Sequence, residues 1–136
     1  MIRAVSIFCL IVFTGCGRPN DLRQVRGELD RDESRHLAYA IAFDRGYLVR
    51  AVAGTGSNGD CMGERTWVVL ADSYETISPG KLIVYRLGSK EIFHQVIRGG
   101  PDGWTVQGMA NSRPDPVTVT RDNYVGTYVA RVDSER

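Results

Sequence analysis

The sequence predicts a mainly β protein of antiparallel sheets with one helix near its N-terminus. Two observations after Gly46 carry the β part: short runs rich in valine, isoleucine, threonine and aromatics, and clusters of glycine, proline and serine that separate them. A third, the stretch "DESRHLAYAIAF" at 32–43, carries the helix, because it is built from good helix formers, opens on acidic residues and is followed by Gly46. With 136 residues, 43% of them hydrophobic and 24% charged, the chain is long enough for one packed core.

The first fifteen residues read as a secretory signal. Arg3 gives a positive start, residues 4–13 form an apolar run too short to span a bilayer comfortably, and small residues precede Cys16. Residues 16–31 are polar, contain Pro19 and Gly27, and are expected to form a tether. The helix at 32–43 opens the domain, which is expected to fill 32–136. Seven β-type runs follow in order: "YLVRAVA", "TWVVL", "KLIVYRL", "EIFHQVI", "WTVQG", "VTVT" and "VGTYVARV".

Charge and cysteine usage exclude several functions. Seventeen basic against sixteen acidic residues leave a formal charge of +1 without long blocks, so there is no basic stripe for nucleic acid. Of the three cysteines, Cys9 lies in the signal run and Cys16 at its end, which leaves Cys61 without a partner for a disulfide or a metal pair. No metal and no organic cofactor is expected.

The stretch "VAGTGSNGDC" poses the functional question. Gly54, Gly56 and Gly59 fit the dinucleotide pattern G-x-G-x-x-G, but "DCMGERTWVVL" opens no helix and no βαβ alternation follows. A phosphate-binding P-loop is excluded by Asp60 and Cys61, where a lysine and a hydroxyl residue are required. Two readings stay open: Thr55, Ser57 and Asn58 fill a loop as small polar residues do, or Ser57 is a nucleophile held in a tight bend.

Five blocks, "GTGS", "SPGKLIVYR", "EIFHQVI", "WTVQGMANSRPD" and "NYVGTYV", together resemble the ordered blocks of the signal peptidase I and LexA-type serine peptidase superfamily, from about Val52 to Val129. The tetrapeptide "FTGC" at 13–16 likewise resembles a bacterial lipobox. The first resemblance implies Ser57 as nucleophile, His94 as general base in the manner of the endoplasmic-reticulum and archaeal type, and Asp115 as the carboxylate that orients the histidine. Gly108 and Asn111 fall on the glycine and second asparagine of the block before that aspartate. Gly54 and Gly56 would let backbone amides approach an oxyanion. The first also implies a peptide or protein as substrate, and the second implies lipidation at Cys16, export, and anchoring in the periplasm or cell envelope. Asn58 stands where the family usually has methionine, and Met109 replaces an aspartate. The alternative is therefore a non-catalytic exported lipoprotein of the same fold, acting as a binding or assembly module.

The residues themselves supply part of the chemistry. On "EIFHQVI", alternation places Ile92, His94 and Val96 on one face, giving the imidazole apolar neighbours. Read without the resemblance, His94 is a structural strand histidine and Asp115 a turn carboxylate between Pro114 and Pro116. Ser73 in "ADSYE" is the rival serine, but choosing it would erase the strand "TWVVL" before the Pro79, Gly80 turn. Lys81 and Lys90 are the only lysines and neither sits at the base position. His36 reads as a helix-surface residue, and Trp67 and Trp104 as core or interface aromatics.

Overall fold

The computed structural model describes residues 23–25, 29–53, 56–58 and 65–134. The residues read as a signal sequence, and Cys16, Gly54 and Cys61, lie outside them. Among the described residues no helix is long and apolar enough to cross a membrane.

The architecture is mainly antiparallel β with one helix. In chain order the elements are β1 (Arg23–Val25), α1 (Arg31–Phe43), β2 (Leu48–Ala51), β3 (Thr66–Ala71), a 3₁₀ turn (Tyr74–Thr76), β4 (Leu82–Leu87), β5 (Lys90–Gly100), β6 (Gly103–Gln107), β7 (Thr118–Val119) and β8 (Tyr124–Asp133). All seven expected β runs form strands. One departure lies in the segment read as a tether, where residues 23–25 form β1. That strand pairs in parallel with Ala130–Val132 of β8, beyond the point where β4 ends its own pairing at Thr127. An edge of backbone groups left open by β4 is thereby satisfied.

Helix α1 begins one residue earlier than the sequence suggests because Asp30 caps it. Asp30 Oδ1 accepts from the backbone N–H groups of Asp32 and Glu33, each at 2.8 Å, and Glu33 Oε2 accepts from Asp30 N–H at 3.0 Å. This reciprocal capping box satisfies donors that the first helical turn cannot pair internally. Ser34, Ala38 and Ala42, spaced by four, form the buried face, and their small size lets the helix lie close on Val69, Ala130 and Val132.

The sheet runs in the order β2-β3-β8-β4-β5-β6-β7, so β8 inserts between β3 and β4. Register shifts interrupt the β3–β8, β4–β8 and β5–β6 ladders, and each such bulge strengthens the local twist. The sheet curls far enough that Arg50 on β2 meets Glu91 on β5 at 2.7 Å, although three strands separate them in sheet order. Alternation then divides the core in two. Val68, Leu70, Val84 and Phe93 face the inside of the curl, whereas Ile83, Tyr85, Val96, Trp104 and Val106 pack on the other face.

Replacing Asp30 by alanine removes the cap acceptor and leaves the two N–H groups it served unpaired. Chemical denaturation is expected to register a loss of about 1 kcal/mol.

Candidate active site

The site forms where the curl brings β2 and β5 together. The intervening cleft, about 270 Å³, is walled by Ala51, Val52, Val68, Val84 and Phe93, and its polar lining includes Ser57, Asn58 and His94. The ion pair between Arg50 and Glu91 borders it.

His94 is placed by β5. Its strand register sets it opposite Ile83, on the same face as Ile92 and Val96, as the alternation of the sequence requires. Its imidazole is buried, with 9% of the side chain exposed, and Nδ1 lies 2.5 Å from Asp115 Oδ2. Asp115 comes from the loop after β6. Its backbone N–H donates to the Val106 carbonyl at 2.8 Å, which ties that loop to the strand it has just left. The carboxylate, 10% exposed, is thus held against β5 from a neighbouring element.

Ser57 reaches the site from the other direction. It follows Gly56, whose φ of +78° lies in the left-handed region and accounts for glycine there. The Ser57 carbonyl accepts from Ala110 N–H at 2.9 Å, fastening the loop to the turn that closes when Asn111 N–H bonds the Gly108 carbonyl, also at 2.9 Å. Asn58 is buried, and its Nδ2 donates to the Phe93 carbonyl at 2.7 Å, next to His94 in the chain. Asn58 Oδ1 has no partner among the described residues.

Gly108 marks the meeting point. A Cβ added there would lie 2.6 Å from Ser57 O, 2.6 Å from Asn111 Nδ2 and 2.9 Å from His94 Nε2. Glycine is required by this close approach, since no larger residue leaves the loop, the turn and the imidazole in place. Of the three residues singled out from the sequence, Ser57 and His94 line the cleft and Asp115 stands behind His94: His94 is bonded to Asp115, and His94 Nε2 and the Ser57 carbonyl converge on Gly108. Gly54 lies outside the described residues. Ser73 does not line the cleft; its backbone N–H donates to Tyr124 Oη at 3.1 Å. His36 is exposed on α1, and Trp104 is buried in the outer-face core.

Tyr85 belongs to the site and sequence reasoning passed over it. Its hydroxyl donates to Asp115 Oδ2 at 2.7 Å, the same oxygen that meets His94. Burial, and then its bond to Asp115, push the phenol well above its ordinary range, so it stays a donor. The available signal was a hydroxyl-bearing aromatic in the apolar alternation of "KLIVYRL", on the face shared with Ile83.

Among the described residues no group of three or more His, Cys, Asp or Glu side chains is arranged to hold a metal ion. The donor set is suited instead to moving a proton between a hydroxyl and an imidazole backed by a carboxylate. Comparison of the chain with models of known protein families, with curated proteins and with solved structures returned no match in any of the three.

Two outcomes follow from these contacts. Gly108→Ala is expected to force Ser57 and His94 apart, measured as a destabilisation of about 1–3 kcal/mol and as a changed chemical environment of the His94 ring by NMR. Tyr85 is raised, and burial pushes Tyr128 up to about 12 from an ordinary value of 10.0. Each favours the protonated folded state, a stabilisation fully present below pH 10 and lost as pH rises toward and through the folded values. Denaturation midpoints should accordingly hold steady up to about pH 9 and fall above about pH 10, with phenolate absorbance of these two residues appearing only as the protein opens.

Proposed function

We propose that the protein is an exported, membrane-tethered serine endopeptidase of signal peptidase type, in which Ser57 attacks, His94 transfers protons and Asp115 orients His94. The observation that carries this reading is the His94–Asp115 contact, which occupies Nδ1 and leaves Nε2 toward Gly108 and the Ser57 loop. The tether would run from a lipidated Cys16, in keeping with the signal-like start of the chain.

In this reading an extended peptide enters the cleft, where the outer edge of β2, at the end of the sheet, offers backbone groups for strand pairing. His94 Nε2 takes the proton of Ser57 Oγ as that oxygen bonds to the scissile carbonyl carbon. The tetrahedral oxyanion is met by backbone N–H groups beside Ser57, where Gly56 permits close approach. The C–N bond then breaks, the imidazolium returns its proton to the leaving amine, and water resolves the acyl-enzyme by the same relay. Asp115 remains a carboxylate and stabilises the transient charge on the ring.

A second reading is favoured by Asn58, which stands buried beside Ser57 in place of the methionine usual in the family. There the same cleft binds an extended segment without cutting it. The two readings separate on labelling with a fluorophosphonate probe, in which the Ser57 Oγ–P bond forms, the P–F bond breaks and His94 takes the proton. The peptidase reading expects labelling of the parent protein, none of Ser57→Ala, and a rate reduced about 10²–10⁴-fold in His94→Ala. Equal labelling of all three removes Ser57 as the nucleophile.

A further inference from the structure

We propose that Tyr85 is a positioning residue of this site: its phenol, sharing Asp115 Oδ2 with His94, locks the carboxylate so that the imidazole carries its proton on Nδ1. The inference deepens the peptidase reading and rests on its assignment of His94 as the base. A carboxylate bound by one partner alone is free to rotate about its Cβ–Cγ bond and to offer either oxygen. Here a second donor, 2.7 Å away, pins Oδ2 in place. Since Oδ2 already accepts the phenol's proton, the proton in its 2.5 Å contact with His94 belongs to Nδ1.

The phenol itself has nowhere to go. Tyr85 is 1% exposed, sits on β4 opposite Ile92, and packs with Ile83, Val96 and Trp104. Its ring and the His94 ring meet in an edge-type contact, with centroids 6.5 Å apart and planes inclined by 61°. Burial and the neighbouring carboxylate both favour the protonated hydroxyl, so the donor is present at neutral pH. Removing it by Tyr85→Phe keeps the ring and its packing and deletes only the hydrogen bond.

The test is long-range ¹H–¹⁵N NMR of the imidazoles at neutral pH, compared between the parent and Tyr85→Phe. The chain has two histidines, so exposed His36 serves as the internal reference and His94→Ala assigns the other. In the parent, His94 should show a protonated Nδ1 and a bare Nε2, with a protected Tyr85 hydroxyl proton giving a cross-peak to the Nδ1 proton. In Tyr85→Phe the Nδ1–H population should fall, His36 should not move, and fluorophosphonate labelling of Ser57 should slow about tenfold. A folded Tyr85→Phe whose His94 signals match the parent overturns the proposal. So does a parent protein without the hydroxyl cross-peak, a measurement that needs no variant to fold. If the His94 tautomer responds to Tyr85→Phe while the parent is never labelled, the positioning role stands and the assignment of Ser57 falls.

Discussion

One oxygen atom, Asp115 Oδ2, receives both the Tyr85 hydroxyl and the His94 ring in an interior that water scarcely reaches. A carboxylate so enclosed is tolerated because donors surround it, and taking away either would leave a poorly compensated polar group. Three separate elements must be correctly placed for the contact to exist: β4 supplies the phenol, β5 the imidazole and the loop after β6 the carboxylate. The shared oxygen is therefore a geometric constraint on the register of half the sheet. It also decides which ring nitrogen turns toward Gly108.

That constraint is useful only because the sheet curls. In a flat sheet β2 and the start of β5 would have three strands between them and the cleft would not close. Bulges in three ladders bend the sheet until Arg50 reaches Glu91, and the Ser57 loop that follows β2 is carried over to β5 with it. The ion pair is partly exposed and contributes modest energy; packing of Val68, Leu70, Val84 and Phe93 inside the curl carries the stability. Gly108 then sets how closely the loop, the turn and the imidazole can converge.

Much of this was legible in the sequence, for local reasons. β-branched and aromatic runs such as "TWVVL" and "EIFHQVI" announce strands through short-range preference, and alternation within the latter places His94 beside Ile92 and Val96. The order of strands was not legible, because the insertion of β8 between β3 and β4 is decided by pairings between residues distant along the chain. The same limit explains β1, whose three residues carry no pattern and acquire a structure only from the open edge of β8. Ser57, His94 and Asp115 were named through block order, whereas Tyr85 was not. Its partnership arises from the register of β4 against β5 and from a loop anchored to Val106, neither of which local composition encodes.

The placement of β8 bears on how such a chain assembles during synthesis. It is the last strand among the described residues, yet it bridges β3 on one side and both β4 and β1 on the other. Until it emerges, β2–β3 and β4 to β7 have no strand to join them, β1 has no strand to pair with, and α1 lacks Ala130 and Val132 from its seat. Folding of the sheet must therefore wait until β8 has been made, a late keystone without which β2 and β3 stay apart from β4 to β7.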